Sequence, residues 1–157
     1  MGQPKKIHVG WAEIEKTCFM ISKKLTKAKI HPDIILGVSR GGLIPARILS
    51  GMLRNNALST VRVKFYTKPG ETIKKPIILE DSFADVKGKT LLIVDDVIES
   101  GKTLKLVKEH FYSKGAKNVY LTVLFNKKKN KLIEPDFYAK IIDDKWIVYP
   151  WEKYEKE

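Results

Sequence analysis

The stretch Leu91-Leu-Ile-Val-Asp-Asp-Val-Ile-Glu-Ser-Gly-Lys-Thr-Leu104 is the most informative part of the chain, because its pattern predicts a buried strand joined to a helix through a group of acids. Leu91–Val94 is a continuous apolar run, which is typical of a strand in a parallel sheet. Apolar residues then recur at helical spacing between Gly101 and Gly115, and the second glycine is a good C-terminal stop. The stretch therefore predicts a strand followed directly by a helix.

Polar groups collect at the junction between that strand and that helix. Asp95 and Asp96 follow the apolar run, at the edge where open parallel sheets bind their ligands. Carboxylates there suit a diol or a hydrated Mg²⁺, since they accept hydrogen bonds and bind hard cations. The first helical turn leaves backbone N–H groups free for a phosphate. The residues that would present these groups are Ser100, Gly101, Lys102 and Thr103. The junction predicts a sugar-phosphate site.

Two other interpretations of the junction compete with this one. Gly101-Lys-Thr103 could end a Walker A loop, but that motif requires a glycine where this chain has Asp96, and a carboxylate would repel nucleotide phosphates. The acids could instead cap the helix and complement its dipole. One cap needs one acid, whereas this chain has carboxylates at 95, 96 and 99. A functional site explains the set better.

The composition is that of a folded, soluble protein. A chain of 157 residues, of which 43% are hydrophobic, fits one domain with a continuous core. No apolar run approaches a membrane span, and residues 1–10 lack the apolar segment of a secretory signal, so we expect a cytoplasmic protein that does not bind membranes. Cys18 cannot form an intramolecular disulfide and shares an apolar helical stripe, which predicts a core residue.

The formal net charge of +12 indicates an anionic partner. Nucleic acid is one candidate, and a substrate that carries a phosphate and a diphosphate is another. Charge alone does not choose between them. We expect Lys128, Lys129 and Lys131 to lie in a solvated loop. His8, His31 and His110 are isolated in the sequence and are interpreted as structural, because they form no metal-ligand cluster.

Strands and helices alternate along the chain, which favours a three-layer α/β fold. We predict a helix over 11–27, a strand over 33–39, a second helix that begins between Gly42 and Ile44, and strands over 60–66, 119–125 and 137–142. The segment Thr67–Ser82 contains two prolines and Gly70, so it is predicted to be a mobile loop that includes a short hairpin strand at 77–79.

Three stretches together resemble a known family. The stretch from residue 91 is similar to the phosphoribosyl pyrophosphate motif of the type I phosphoribosyltransferases, with its apolar run, paired acids, third acid, Gly and Thr. Gly37-Val-Ser-Arg-Gly-Gly-Leu-Ile-Pro-Ala46 resembles the pyrophosphate loop of that family. Lys145-Trp-Ile-Val-Tyr-Pro-Trp-Glu152 resembles the base-binding end of its xanthine-guanine (6-oxopurine) branch.

The resemblance covers most of the chain, from about residue 34 to residue 152, and implies the type I fold. That fold has a mostly parallel central sheet, a flexible loop and a small hood. We expect a single domain over residues 1–157, with the hood formed by residues 127–157 and the N-terminal segment. The resemblance also implies transfer of a phosphoribosyl group to guanine, hypoxanthine or xanthine in purine salvage, with Mg²⁺ as cofactor. We expect a homodimer or a homotetramer.

Family positions imply roles for the residues that bind the sugar and its phosphate. Asp95 and Asp96 would hold the ribose hydroxyls, and Asp96 would also hold Mg²⁺, directly or through water. Glu99 stands where the family often has Asp, so it would accept the N7 proton of the purine, although glutamate is one methylene longer. Residues 100–103 would bind the 5'-phosphate, and Ser100 replaces the commoner Thr.

The same resemblance implies a diphosphate site and a base site. Ser39, Arg40, Gly41 and Gly42 would bind pyrophosphate, with a cis peptide between Ser39 and Arg40. Lys127 would donate a hydrogen bond to the 6-oxo group of the base. Trp146 would stack on the ring, and the carbonyl of Ile147 would contact its edge at position 2.

Two alternatives stay open at this point. One is a regulatory member of the fold that binds nucleic acid through its basic surface, although the chain shows no helix-turn-helix segment or spare domain, which makes a nucleic-acid partner the weaker expectation. The other is a phosphoribosyltransferase for a different base.

Overall fold

A computed structural model describes residues 5–72 and 74–155 of the chain. Its elements follow in the order β1 (Lys6–His8), α1 (Trp11–Lys27), β2 (Ile34–Ser39), α2 (Leu43–Met52), β3 (Leu58–Tyr66), β4 (Lys75–Glu80), β5 (Thr90–Ile98), α3 (Lys102–Ser113), β6 (Asn118–Lys127), β7 (Phe137–Ile142) and β8 (Trp146–Val148). A short 3₁₀ helix, Pro150–Tyr154, comes last.

The main sheet has six strands in the order β4-β3-β2-β5-β6-β7. All neighbours in it are parallel except β3 and β4, which pair antiparallel. β1 and β8 form a separate parallel pair, with Ile7 opposite Ile147. The sheet is therefore mostly parallel, in agreement with the predicted α/β fold.

Two hydrophobic clusters cover the two faces of the main sheet. Leu92 and Val94 of β5 pack on one face with Ile14 of α1 and Leu49 of α2. The alternate residues of β5 pack on the other face with α3; these are Leu91 and Ile93, against Leu104, Val107 and Phe111. Because successive strand residues point to opposite faces, an uninterrupted apolar run is what a three-layer fold requires.

Most predicted elements are confirmed, with small differences at their ends. α1 covers Trp11–Lys27 as predicted, and α2 begins at Leu43. β5 continues beyond the predicted Val94 to Ile98, because its pairing with β6 extends to Ile98 opposite Asn126. Asp95 and Asp96 therefore lie inside the last part of the strand.

The segment predicted as a loop, Thr67–Ser82, contains a longer strand than expected. β4 pairs with β3 and includes the predicted apolar residues 77–79. Ile73 of this segment lies outside the described residues. The mobility of the loop stays a prediction.

The core contains Cys18 as predicted, fully buried, and burial raises the pKa of its thiol to about 12. The predicted solvated lysines differ from one another: the Lys128 side chain is 65% exposed, whereas that of Lys131 is only 4% exposed beside Glu134. The expectation of a solvated Lys131 is therefore wrong: its side chain is covered, and its ammonium group donates to Glu134 Oε1 at 3.1 Å. No helix within residues 5–72 and 74–155 is long and apolar enough to cross a bilayer.

Candidate active site

The paired acids lie side by side at the end of β5. The Asp96 N–H donates to Asp95 Oδ1 at 2.9 Å, and the Val97 N–H donates to Asp96 Oδ1 at 2.8 Å. Burial raises the pKa of the Asp95 carboxyl well above its ordinary value, and the neighbouring charge of Asp96 raises it further. Burial also raises the pKa of Asp96. Two carboxyls held in this way are suited to bind hydroxyl groups or a cation that relieves their repulsion.

A cavity of about 270 Å³ opens between these acids and the start of α3. Gly101 caps the helix with φ +76°, a left-handed conformation that favours glycine, and the Lys102 N–H lies 3.3 Å from Ser100 Oγ. The cavity is lined by Phe65 and by the continuous run of residues 95–104. The predicted phosphate residues 100–103 thus share one cavity with both acids, at a helix start, where backbone N–H groups suit an anion.

The predicted pyrophosphate loop lies against Asp96. The Ser39–Arg40 peptide is cis, as the resemblance implied. A Cβ atom on Gly41 would lie 2.5 Å from Asp96 Oδ2, so only glycine allows the loop to approach the carboxylate this closely. Arg40 Nη2 lies 3.1 Å from Glu155 Oε1, and its side chain is 78% exposed. An exposed pair of this kind is weak, so Arg40 is available to an anion.

A second cavity of about 140 Å³ lies beside the first. The predicted base-binding residues meet there: Lys127 from the end of β6, and Trp146 and Ile147 from β8. The Lys127 side chain is only 6% exposed, and its ammonium group binds the Glu99 carboxylate. Trp146 remains 54% exposed beside the cavity. The cavity is lined by Asp96, Val97, Glu99, Lys127, Trp146, Ile147, Tyr149 and Glu152.

Besides Val97, two of these lining residues, Tyr149 and Glu152, were not predicted. Tyr149 is buried, stacks on Trp151 with ring centroids 4.6 Å apart, and its hydroxyl has no hydrogen-bond partner among the described residues. Burial raises the pKa of this phenol, and the charges of Asp96 and nearby carboxylates raise it further. The Glu152 carboxylate accepts a 2.8 Å hydrogen bond from the Tyr149 N–H. The quoted 145–152 stretch contains both residues, but only the fold shows that they face the cavity.

The two cavities form one site, because Asp96, Val97 and Glu99 line both of them. Within the part of the chain that the structure describes, no cluster of three or more His, Cys, Asp or Glu side chains could hold a metal ion by itself. The first cavity, lined by Phe65 and residues 95–104, is suited to an anion, and we call it the anion cradle. The second cavity is a pocket that contains the buried Lys127 ammonium group.

Comparisons with known proteins identify the family. The model of the phosphoribosyl transferase domain matches residues 9–156. A purine phosphoribosyltransferase from Pyrococcus horikoshii superimposes with a TM-score of 0.84 at 40% identity, over 98% of this chain and 99% of that one. A xanthine-guanine phosphoribosyltransferase from Idiomarina loihiensis is 28% identical over 96% of this chain and 89% of its own length.

One more distant structure agrees in fold alone. The xanthine-guanine-hypoxanthine phosphoribosyltransferase of Helicobacter pylori has a TM-score of 0.79 at 22% identity, over 94% of both chains. The resemblance seen in the three sequence motifs is thus confirmed along nearly the whole chain, and the protein belongs to the phosphoribosyl transferase domain family, with the type I fold.

Proposed function

We propose that the protein transfers the 5-phosphoribosyl group of phosphoribosyl pyrophosphate to a 6-oxopurine, giving a nucleoside 5'-monophosphate and pyrophosphate. One observation carries the proposal: the anion cradle and the ammonium-containing pocket share Asp96, Val97 and Glu99. A purine in the second cavity would therefore face the C1' of a ribose in the first. The names of the relatives, purine and xanthine-guanine phosphoribosyltransferase, support the same substrate class.

The first cavity accounts for the sugar end of the substrate. Backbone N–H groups at residues 100–103 would bind the 5'-phosphate. Asp95 and Asp96 would accept hydrogen bonds from the ribose hydroxyls. As the bond from C1' to pyrophosphate breaks, positive charge grows on the ribose, and the same carboxylates would stabilise it electrostatically. Burial raises the pKa of both acids, so hydrogen-bond donors or a cation brought by the ligand would favour their charged forms.

The diphosphate end would lie on the glycine loop. The backbone N–H group of Gly41 and the guanidinium of Arg40 suit the oxygens of pyrophosphate, and a guanidinium can bind two of them. The Gly42 N–H already donates to the Val38 carbonyl at 2.8 Å, so Gly42 would contribute by letting the loop pack closely. Mg²⁺ bound to the diphosphate would supply charge neutralisation of the leaving group. Asp96 would hold the cation, directly or through water, since it lies against the loop at Gly41.

The second cavity accounts for the choice of base. The Lys127 ammonium has only donors, so it suits the 6-oxo acceptor of guanine, hypoxanthine or xanthine. The 6-amino group of adenine would place a donor against a donor, and sites built to hydrogen-bond a given group discriminate strongly. Glu99 would accept the N7 proton, Trp146 would stack on the ring, and the Ile147 carbonyl would contact position 2.

The hood, the oligomeric state, the metabolic role and the cellular location are also proposed. We propose that the small β1–β8 sheet, with the segment after Lys127, forms the hood over the base within a single domain. A homodimer or homotetramer, a role in purine salvage and a cytoplasmic location are predictions from the sequence. The described residues offer no observation that favours a nucleic-acid regulator over the enzyme.

Substituting Asp96 tests the proposal. With phosphoribosyl pyrophosphate, Mg²⁺ and guanine, we expect the parent protein to release pyrophosphate. We expect Asp96→Asn to bind phosphoribosyl pyrophosphate about 10- to 100-fold more weakly, because hydrogen bonds to a charged acceptor contribute about 1.5 to 3 kcal/mol. The control is Asp85→Asn, an exposed acid whose Oδ1 accepts from the Lys87 N–H. Unchanged affinity in Asp96→Asn would remove the carboxylate from the sugar site.

The same variant should also be more stable without ligand. The folded-state pKa of Asp96 is raised from 3.8, so ionisation costs stability as the pH rises above that value. Asparagine removes the cost. We expect Asp96→Asn to melt at a higher temperature than the parent at pH 7 and at nearly the same temperature at pH 3. A lower melting temperature at pH 7 would contradict this assignment.

A further inference from the structure

Four charged side chains form a connected cluster at the base pocket. The buried Lys127 ammonium binds Glu99, and Asp144 Oδ1 lies 3.4 Å from the same Nζ atom. Lys129 Nζ lies 3.3 Å from Asp144 Oδ1 and 3.4 Å from its Oδ2. The Lys127 side chain is 6% exposed, whereas that of Asp144 is 59% exposed. Asp144 is thus the solvent-side partner of a buried cation.

Base binding changes the partners of this cation. In the proposed reaction, Glu99 turns to the purine N7 and leaves Lys127. An ammonium group has three donors, one of which then binds the 6-oxo group. A buried ammonium that loses its counter-ion is costly, and the neutral oxygen of a base does not replace a carboxylate. Asp144 is the other carboxylate already in contact with Lys127 among the described residues.

The position of Asp144 in the chain adds a second connection. It lies in the turn between β7 and β8, where the Lys145 N–H donates to the Asp143 carbonyl at 2.7 Å. Trp146 and Ile147 are the second and third residues after Asp144 in the chain. The Lys127–Asp144 contact therefore joins the end of β6, which presents the ammonium group, to the segment that would stack on the base.

We propose that Asp144 is a positioning residue for base selection: it holds the Lys127 ammonium group directed at the 6-oxo group while Glu99 is engaged with N7. This inference rests on the proposed function. Asp144 is itself kept ionised, because its hydrogen bond to Lys129 lowers its pKa, and Lys127 lowers it further. Glu99 and Asp144 then have separate tasks: one exchanges between lysine and base, and the other stays with lysine.

The chain offers a matched control for the test. Asp143 is adjacent, and its Oδ1 lies 3.3 Å from Lys128 Nζ, but both of these side chains are 65% exposed and neither lines the base cavity. Asp143→Asn thus removes the same charge from the same turn without touching Lys127. Asp144→Glu keeps the charge, so it should restore part of what Asp144→Asn loses.

We expect Asp144→Asn to raise KM for guanine and Kd for guanosine monophosphate about 3- to 10-fold, since the contact joins a buried cation to a partly exposed anion. KM for phosphoribosyl pyrophosphate should stay within about twofold, because the sugar site is untouched. Steady-state kinetics with each substrate varied, and calorimetric titration with the monophosphate, measure both.

Three outcomes would overturn the inference while leaving the proposed function intact. Asp144→Asn could match Asp143→Asn, both KM values could rise together, or Asp144→Glu could recover nothing. Each of these outcomes would show that Asp144 is an ordinary surface residue or contributes only to the stability of the fold. A parent protein that neither releases pyrophosphate with any 6-oxopurine nor binds guanosine monophosphate would instead overturn the proposed function, and this inference with it.

Discussion

Glu99→Gln slows the chemical step by about 10²- to 10⁴-fold, the usual contribution of a positioned general base. Glutamine keeps the size of the side chain but cannot take the N7 proton. Because Glu99 is assigned to the base and not to the ribose hydroxyls or the 5'-phosphate, affinity for phosphoribosyl pyrophosphate should change little. Single-turnover formation of the monophosphate after rapid mixing measures the step itself, and its pH dependence should become flatter.

A matched control separates this effect from a general loss of negative charge. Glu109→Gln changes the same residue type on the exposed face of α3, where Glu109 pairs with Lys105 at 3.8 Å, and should leave the rate unchanged. The competing account treats Glu99 only as the counter-ion of Lys127. Near-parental single-turnover rates in Glu99→Gln, with weaker base binding, would favour that account and would leave the purine proton to solvent.

Gly42→Ala should destabilise the fold by about 3 kcal/mol or more, at the upper end of the range for overpacked sites. A Cβ atom at Gly42 would overlap the Val94 carbonyl oxygen and would lie 2.8 Å from the Val38 nitrogen. Both neighbours are backbone atoms of the paired central strands β2 and β5, which cannot move apart without breaking the sheet. Urea unfolding followed by circular dichroism measures the loss.

Gly51→Ala, in the helix that Gly42 precedes, is the control for that measurement. A Cβ atom at Gly51 would meet only the end of the Arg47 side chain, at 3.4 Å. Replacing a helical glycine by alanine stabilises by about 0.5 to 1 kcal/mol. Equal stability changes in the two variants would contradict the tight packing of the glycine loop against β5.

The sequence predicted the elements whose signal is local. The apolar run from Leu91 fixes β5, and the helical spacing that ends at Gly115 fixes α3, because period and stop residue lie within one short segment. β1 and β8 were missed. Each has only three residues, and Lys6–His8 pairs with Trp146–Val148 from the far end of the chain. Such a pairing leaves no local pattern.

Within the site too, contacts between consecutive residues could be predicted, whereas contacts between distant parts of the chain could not. Residues 95–104 lie together because they are consecutive, so their shared cavity follows from the motif. The ion pair between Lys127 and Glu99 joins the ends of two strands, and nothing in a run of lysines shows which ammonium group meets a carboxylate from another strand. Tyr149 was not predicted, because its hydroxyl lies near the site carboxylates only in the folded protein and no local sequence pattern shows this.

We propose that a buried ammonium group selects a 6-oxopurine as phosphoribosyl acceptor. The most direct measurement is kcat/KM for guanine, hypoxanthine, xanthine and adenine, with labelled phosphoribosyl pyrophosphate and Mg²⁺. We expect conversion of at least one 6-oxopurine to its 5'-monophosphate with a kcat/KM at least about 10²-fold above that for adenine, since a mismatched buried donor is costly. Equal values for adenine and guanine would contradict the claim.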